Sequence, residues 1–243
     1  MPAYSPENTP AQNLEALSEN EYPGRVLVIG RVGPIAVQAY GLMGRSDDSR
    51  NRILVEEDAV VSTETFDRSK EVERPDLTIY DAMRRTGTSH IVSNGNQTST
   101  VIEYLRAGRS FEDAVESRDH EDDKPNFTPR ITGIIDIAPS EDRPAFALSL
   151  NGETDKKLFL YDAEDMESDT GLALQTYEHN VPKGEKLPSF AEEPFALPVY
   201  DTASAMAWTL WSNLNPENRV AVAAKTIDTR TNEVEYKVFN ALT

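Results

Sequence analysis

Short apolar runs separated by polar turns recur along most of the chain. Residues 25–30 are mostly apolar and β-branched and end in a glycine, which predicts a strand. A turn at residues 32–34 leads to a second apolar run at 35–40, which is the predicted antiparallel partner. The runs 53–55 and 59–61 flank an acidic turn in the same way. The first part of the chain therefore predicts a succession of hairpins.

The same pattern predicts further strands. They cover residues 77–80, 90–93, 130–137, 144–150, 158–161, 172–177, 195–200, 220–226 and 234–239. Asn151 and Gly152 provide a turn signal between two of them. The segments 130–137 and 144–150 are predicted to pair as one hairpin, and the last two strands as another.

Helical spacing is restricted to a few segments. Thr100 and Glu103 have the spacing of a capping box, and Gly108 is suited to end the helix that they begin. Residues 110–113 give a similar start signal, and residues 203–214 place apolar side chains on one helical face. Many strands in hairpin order, with helices in two groups, predict an α+β sandwich of antiparallel sheets covered by helices.

The first residues differ in composition from the rest. Residues 1–21 carry Pro, Asn, Ser and Glu and no basic residue, so we predict a flexible acidic leader. A short helix through residues 11–17 that docks on the body is the alternative. The segment lacks the positive start and apolar centre of a signal peptide. Residues 22–243 are predicted to form a single domain.

Charge narrows the class of partner. The chain has 243 residues, with 42 acidic against 24 basic side chains and a net charge of -18. This excess argues against nonspecific binding to nucleic acid or to an anionic membrane surface, because like charges repel. No apolar run approaches the roughly 20 residues that span a bilayer. We expect a small-molecule ligand, which needs only a local cationic pocket, and the oligomeric state stays open, with a homo-oligomer among the options.

Composition also excludes several kinds of site. The chain has no Cys, which excludes disulfides, thiolate zinc sites and Cys nucleophiles and fits a reducing cytoplasm. His90, His120 and His179 are far apart in sequence, and no pair has metal-ligand spacing. There is no Gly-rich phosphate loop of the Walker or Rossmann type. We expect a cytoplasmic protein without a metal site.

Two polar segments carry arginine beside a predicted strand end. Arg45, Asn51 and Arg52 form the first, and guanidinium groups suit phosphate oxygens because they present several fixed donors. The alternative is a solvated loop paired with its own aspartates. Tyr80 and Arg84 form the second, where a nearby guanidinium favours the phenolate. The alternative is a half-buried strand tyrosine beside an exposed arginine.

Two more segments combine other chemistry. Asn94 and Gly95 lie between a predicted strand and a predicted helix, where backbone N–H groups bind anions and amides read a base edge. A plain Asn-Gly turn is the alternative. Glu178 and His179 are candidates for an acid–base pair. In a strand their side chains point to opposite faces, and a structural histidine is the alternative.

The segments keep a recognisable order along the chain. They are Tyr22-Pro23-Gly24-Arg25, Tyr40, Gly44-Arg45-Ser46, Asn51-Arg52, Tyr80, Arg84, Ser93-Asn94-Gly95, Thr128-Pro129-Arg130 and Thr176-Tyr177-Glu178-His179-Asn180. In this order they resemble the archaeal-type IMP cyclohydrolase family, over residues 22–180.

The resemblance implies a fold and a reaction. The fold is a four-layer αββα sandwich of antiparallel sheets, like that of the N-terminal-nucleophile hydrolases but without a terminal nucleophile. The reaction is the dehydrative ring closure of 5-formamidoimidazole-4-carboxamide ribotide to inosine monophosphate, in de novo purine synthesis. The enzyme class is the cyclic amidine hydrolases. Because ring closure involves no redox change, no metal or organic cofactor is expected.

The resemblance also implies roles. The residues that it assigns to substrate binding are Arg45, Asn51, Arg52, Asn94, Gly95, Arg130 and Asn180. Within this set the arginines are expected to anchor the 5′-phosphate, and Asn94 with Gly95 to read the carboxamide or the ring.

The catalytic roles implied by the resemblance fall to two further groups. Tyr80, assisted by Arg84, is expected to shuttle a proton or to polarise the formyl oxygen. Glu178 is the expected base near the carboxamide nitrogen, with His179 in support.

Two departures from the family pattern leave other functions open. Asp81 stands where the family often has Asn, and Ser99 where it often has Asp. A purine-ribotide-binding protein with altered catalysis is the main alternative. An N-terminal-nucleophile amidohydrolase that cleaves itself before Thr88, or a purely structural protein, is less favoured by the residues.

Overall fold

The computed structural model describes residues 4–70, 74–139 and 145–243. The strands in chain order are β1 (Arg25–Val32), β2 (Ile35–Met43), β3 (Arg52–Glu57), β4 (Val60–Thr65), β5 (Asp81–Thr86), β6 (Ser89–Ser93), β7 (Arg130–Asp136), β8 (Phe146–Asn151), β9 (Lys156–Tyr161), β10 (Thr170–Gln175), β11 (Phe195–Pro198), β12 (Arg219–Asp228) and β13 (Val234–Asn240). The helices are α1 (Pro10–Glu19), α2 (Asp47–Arg50), α3 (Pro75–Thr78), α4 (Gln97–Arg106), α5 (Phe111–Glu116) and α6 (Ala203–Asn213). None of the helices in the described ranges has the length and apolarity that a membrane crossing requires.

The strands form two antiparallel sheets. The first has six strands in the order β11-β10-β1-β2-β12-β13. The second has seven strands, β3 to β9, in unbroken chain order. The sheets face each other, with β1 over β7, β2 over β6 and β12 over β3.

Helices cover the outer faces of both sheets. Helix α6 packs on β2, β12 and β13, and α1 packs on β11, so both lie outside the first sheet. Helices α4 and α5 bury a smaller apolar cluster against β6, β7 and β8 of the second sheet. The predicted α+β sandwich, with two antiparallel sheets inside and helices outside, is confirmed. Its likeness to the N-terminal-nucleophile hydrolases stays a prediction.

The layering explains the hydrophobic pattern. Strands β1, β2 and β12 are buried along most of their length because they have a layer on each side. Their sequences are therefore nearly continuous apolar runs. The edge strands β9 and β13 alternate between more and less exposed positions, as strands covered on one face do.

Two local predictions are wrong. Residues 77–80 do not form a strand, because Pro75 begins the short helix α3 and the strand starts only at Asp81. Helix α4 begins at Gln97 rather than at Thr100. Its first turn is fixed by the Gln97 side chain instead of a capping box: the amide donates to Asn94 Oδ1 (2.8 Å) and accepts from Arg130 Nη1 on β7 (2.8 Å).

Several predicted strands shift at their ends. The predicted strand 172–177 ends at Gln175, which leaves Thr176 and Tyr177 in the following loop. The predicted strand 195–200 ends at Pro198. In the hairpin that includes 144–150, β8 begins at Phe146, and residue 144 lies outside the described residues.

Of the two predictions for residues 1–21, the docked helix is the one that the structure shows. A flexible leader is wrong for residues 4–21, and residues 1–3 lie outside the described residues. Thr9 caps α1, and the buried Asn13 donates through Nδ2 to the Ala196 carbonyl of β11 (3.1 Å). Asn20, just after the helix, donates to the Glu178 carbonyl (2.8 Å). These polar contacts hold the segment on the first sheet although it is rich in acidic and polar residues.

Strands of both sheets begin or end at one end of the sandwich. β1, β3, β5 and β7 begin there, and their hairpin partners β2, β4 and β6 end there, together with β10. Residues that immediately precede or follow these strands are thereby brought together from distant parts of the sequence.

Gly24 allows close backbone packing at this end. Its φ is +78°, in the left-handed region that favours glycine. A Cβ at this position would lie 2.1 Å from Thr176 Oγ1, far inside van der Waals contact. Thr176 in turn accepts a hydrogen bond from the Arg25 N–H (3.1 Å), so the glycine fixes the start of β1 against the end of β10.

We predict that Gly24→Ala destabilises the protein more than Gly33→Ala. Gly33 also has a positive φ, +53°, but a Cβ there would meet nothing within 4 Å. The control therefore isolates the backbone cost, about 1 kcal/mol, whereas Gly24→Ala adds a steric cost of about 1–3 kcal/mol. Urea unfolding of both variants measures the difference, and equal losses would show that the contact with Thr176 relaxes freely.

Candidate active site

Three buried arginines begin strands at this end of the sandwich. Arg25 opens β1, Arg52 opens β3 and Arg130 opens β7, and each is at most 9% exposed. Arg52 Nε donates to the Ser49 carbonyl (3.0 Å), and Arg130 Nε donates to the Asp119 carbonyl (2.8 Å). Within the described residues, Arg25 Nε and Arg52 Nη1 have no hydrogen-bond partner. The guanidinium groups therefore keep donors for an anionic ligand.

Two tyrosines meet between the sheets beside these arginines. The hydroxyls of Tyr40 on β2 and Tyr80, just before β5, are 2.7 Å apart, and both side chains are buried. Burial, and then the neighbouring Tyr80, raises the pKa of Tyr40, while Arg25 and Arg52 oppose the rise. A pair of phenols has two protons and shares one, so one O–H remains to donate to a ligand.

A single glutamate lies deep in the same cluster. Glu121, in the loop after α5, is 2% exposed. Burial raises its pKa to about 7, against the opposing effect of Arg25 and Arg130. In the described part of the chain, its Oε1 has no hydrogen-bond partner. Glu121 is therefore an acid–base group that titrates near neutral pH.

The arginines respond differently to this carboxylate. Burial opposes the charge on Arg25, but Glu121 and the nearby tyrosines outweigh burial and raise its pKa. Burial lowers the pKa of Arg52, and Arg25 adds repulsion. The cluster therefore contains more buried positive than negative charge, which favours an anion.

A chain of hydrogen bonds orients a third phenol. The Tyr177 hydroxyl contacts Thr128 Oγ1, and Thr128 donates its own hydroxyl proton to Asp123 Oδ2 (2.5 Å) and its N–H to Asp123 Oδ1 (2.7 Å). Because the threonine proton goes to the carboxylate, Tyr177 donates to Thr128. The Tyr177 oxygen keeps its lone pairs as acceptors beside Arg25, which acts on it electrostatically.

A cavity of about 630 Å³ adjoins the cluster. Tyr80 is part of the cluster and also lines the cavity. Asn96, another lining residue, accepts a hydrogen bond from Arg130 Nη1 (3.2 Å). Asp81 and Ser99, the two departures from the family pattern, also line this cavity. Its volume is sufficient for a small-molecule ligand.

A second, smaller pocket is cationic. It has a volume of about 330 Å³ and is lined by Arg45, Arg50 and Lys183 together with Asn180. Arg45 Nη1 donates to Asn180 Oδ1 (2.9 Å), and its guanidinium lies 4.9 Å from the centre of the Tyr22 ring. The Tyr22 ring stacks on that of Tyr177, so this pocket is connected to the cluster through two aromatic rings.

The family comparison matches most of the chain. The family model described as IMP cyclohydrolase-like protein covers residues 22–232. The chain belongs to the IMP cyclohydrolase-like family. This match confirms the family resemblance, supports a related enzymatic function and includes every residue of the buried cluster. Helix α1 lies before the matched range.

Some of the residues singled out by the resemblance lie in the cluster. Tyr80, Arg52 and Arg130 do so, and Gly95 adjoins it, because a Cβ on Gly95 would lie 2.8 Å from Arg130 Nη1 and 3.2 Å from Glu121 Oε1. Arg45 and Asn180 lie together in the second pocket. The roles of these residues as substrate ligands or catalysts stay predictions.

Two predicted substrate-binding residues, Asn51 and Asn94, use their side-chain amides to bond the protein backbone. Asn51 exchanges hydrogen bonds with the backbone of Asp67. Asn94 is fully buried, donates to the Pro129 carbonyl (2.9 Å) and accepts from the Ile131 N–H (2.9 Å) and from Gln97. Both side chains hold the surrounding backbone, and their roles in ligand recognition stay predictions.

The prediction that Arg84 assists Tyr80 does not fit the geometry of the second sheet. Arg84 pairs with Ile91 across the β5–β6 ladder, and Ile91 packs against α4 and α5 on the outer face. Tyr80 points between the sheets. Arg84 instead forms an ion pair with Asp81 (2.9 Å). Arg25 and Arg52 are the guanidinium groups beside Tyr80.

Glu178, the expected base, also lies outside the buried cluster. Glu178 is exposed, and its backbone N–H donates to the Pro188 carbonyl (2.9 Å). His179 is half-buried. The structure brings neither side chain into the cluster, and Glu121 occupies the position that suits a base. Among the described residues, no group of three His, Asp or Glu side chains is arranged to hold a metal, and the expectation of no metal stays a prediction.

We predict that Glu121→Gln makes stability less dependent on pH. The folded-state pKa of about 7 lies above the ordinary 4.5, so the protonated side chain adds stability below about pH 4.5 that is lost as pH rises through 7. The variant lacks this loss. Its free energy of unfolding should exceed that of the wild type by up to about 3 kcal/mol at about pH 8 and by little at about pH 4.

Denaturant unfolding across this pH range measures the effect. Asp122→Asn, at the exposed neighbouring carboxylate, is the matched control and should leave the pH dependence of the wild type unchanged. A constant difference between Glu121→Gln and wild type at all pH values would contradict the raised pKa.

Proposed function

We propose that this chain catalyses the ring closure of 5-formamidoimidazole-4-carboxamide ribotide to inosine monophosphate. Membership of the IMP cyclohydrolase-like family supports the reaction class. The observation that carries the proposal is the buried cluster, in which a glutamate of neutral pKa and a hydrogen-bonded tyrosine pair lie among three arginines.

The reaction needs an acid and a base within one pocket. The carboxamide nitrogen attacks the formyl carbon and forms a C–N bond, and the formyl oxygen then leaves as water. The carboxamide nitrogen loses one proton, and the formamide nitrogen loses the other as the ring C=N bond forms and the C–O bond breaks. The departing oxygen takes up both protons. Holding the two groups of one molecule together supplies up to roughly 7–11 kcal/mol of the barrier reduction.

Glu121 suits the transfer of these protons. With a pKa of about 7, it accepts a proton from the carboxamide nitrogen and returns it to the departing oxygen at neutral pH. This assignment replaces the exposed Glu178. Gly95 leaves room for substrate beside the glutamate, because any side chain there would meet Glu121 Oε1 and Arg130.

The tyrosine pair suits the stabilisation of the formyl oxygen. Tyr40 and Tyr80 share one proton and have one O–H left to donate, in a site where Arg25 stabilises developing negative charge. A donor in such a dry site is worth more than in water.

The remaining cations suit the phosphate. Arg52, with a free Nη1, and Arg45, on the far side of Tyr22, are proposed to anchor it. A dianionic phosphate offsets the excess positive charge of the site and is attracted locally although the whole chain is acidic.

We predict turnover of the formylated ribotide. Purified protein in the presence of a metal chelator should form inosine monophosphate, followed by its ultraviolet absorbance. Binding of inosine monophosphate is measured in parallel by calorimetry. Absence of both turnover and binding would contradict the proposal.

We predict that Tyr80→Phe and Glu121→Gln each lower kcat by about 100-fold to 10,000-fold, because each removes a group that donates or accepts a proton. Arg84→Ala is the matched control, since Arg84 lies on the outer face and pairs with Asp81. It should retain nearly the wild-type rate. Near-normal kinetics for both Tyr80→Phe and Glu121→Gln, with folding intact by circular dichroism, would overturn the assigned roles.

A second function is favoured by one observation. Both departures from the family pattern, Asp81 and Ser99, line the cavity beside Tyr80. A ribotide-binding relative with altered catalysis would bind inosine monophosphate without turnover. Restoring turnover with Asp81→Asn and Ser99→Asp together would identify these positions as the cause.

A further inference from the structure

A second set of buried polar side chains lies between the sheets, away from the cavity. Gln38 on β2, His90 on β6 and Lys225 on β12 each have no exposed surface. Gln38 lies directly opposite Lys225 in the β2–β12 ladder. Its Nε2 donates to the His90 carbonyl (2.9 Å), which connects the two sheets. The three residues, here called the inner polar cluster, therefore occupy one region of the core.

The inner polar cluster has unused hydrogen-bonding groups. Within the described residues, Lys225 Nζ, Gln38 Oε1 and both ring nitrogens of His90 have no hydrogen-bond partner. Buried polar groups in folded proteins are almost always paired, and an unpaired buried charge is costly. This concentration of unpartnered atoms in one place points to a bound ligand.

The surroundings of the cluster are positive. Arg85 lies opposite His90 across the β5–β6 ladder and acts electrostatically on both His90 and Lys225. Tyr236 on β13 lies opposite Lys225, with its ring centre 5.8 Å from Nζ. Glu56 on β3 acts on Tyr236. No carboxylate in the described parts of the chain lies within ion-pair distance of Lys225 Nζ.

We propose that Lys225 and His90, with Gln38, bind a small monovalent inorganic anion of about the size of chloride between the two sheets. The ammonium group has enough N–H donors to reach both the anion and Gln38 Oε1, its neighbour across the ladder. The neutral imidazole supplies one further N–H donor. This site is separate from the cluster of the proposed function and does not depend on it.

Protonation of Lys225 links the anion to pH. Burial, reinforced by repulsion from Arg85, lowers the pKa of Lys225 to about 7, and burial lowers the pKa of His90 to about 3. His90 is therefore neutral across the accessible range, and Lys225 is the group whose charge changes. Anion binding should be stronger at about pH 6, where the ammonium is charged, than at about pH 9.

Thermal unfolding in different sodium salts tests the site. At constant ionic strength, chloride or bromide replaces gluconate, which is too large for a closed site. The midpoint of the wild type at about pH 6 should rise by about 3–6 °C when the halide reaches roughly ten times its dissociation constant. The rise should be much smaller at about pH 9.

Three variants make the test specific. Lys225→Met retains the length of the side chain without the charge and should abolish the halide response. Gln38→Glu places a fixed carboxylate opposite Lys225 and should also abolish the response. The new ion pair between this carboxylate and Lys225 replaces the anion, so this variant is expected to fold without halide. Lys237→Met, at an exposed lysine on β13, is the matched control and should respond like the wild type.

Two results would overturn the proposal. Equal midpoints of the wild type in halide and gluconate would show that water, rather than an anion, pairs these side chains. An undiminished halide response in both Lys225→Met and Gln38→Glu would show a general salt effect.

Discussion

The candidate site depends on charge held out of water. Arg25, Arg52 and Arg130 are desolvated at the end of a sandwich, at a cost on the order of several kcal/mol per ion. The Ser49 carbonyl accepts a hydrogen bond from Arg52 and the Asp119 carbonyl accepts one from Arg130, which offsets part of this cost. Glu121 is the buried carboxylate among them, and its pKa reports the balance between burial and the arginines. The site is therefore tuned by its environment as much as by the identity of its residues.

The fold keeps this arrangement in place by geometry. Each arginine is the first residue of a strand, so the ladder fixes its backbone. The side chains of Arg25 and Arg52 point between the sheets, whereas Arg130 lies on the other face of β7 and donates to Gln97 Oε1 at the start of α4 (2.8 Å). Tyr40 and Tyr80 come from different sheets, and their hydroxyls meet because the sheets pack face to face. A shift of β2 by one residue would direct Tyr40 to the outer layer.

Local sequence was sufficient for most of the architecture. The hairpins β1–β2, β7–β8 and β12–β13 and the helix α6 follow from apolar spacing and turn residues. The start of α4 depends on a contact with Arg130 of β7, which spacing does not encode. The turn α3 has a local signal in Pro75, which the apolar pattern of residues 77–80 outweighed in the prediction. Strand ends were a useful guide to Tyr80 and Arg52, and the family resemblance to Arg130. They did not separate Arg84 from this group, because the face of a residue is set by the register. No local sequence pattern marks Glu121 as an acid–base residue, because it lies in a charged loop. Its burial becomes visible only when that loop packs against Arg25 and Arg130.

The two sheets also differ in how they must assemble. The second sheet is a meander in which every strand pairs with its neighbour in sequence, so it forms through local contacts as the chain is synthesised. The first sheet joins the N-terminal hairpin to β10 and β12, which come from the last third of the chain, and Val26 pairs with Gln175. Until those strands leave the ribosome, both edges of the β1–β2 hairpin stay unpaired and apolar. The β1–β2 hairpin is therefore made well before it is completed, and during synthesis its unpaired edges are exposed to aggregation and to chaperones.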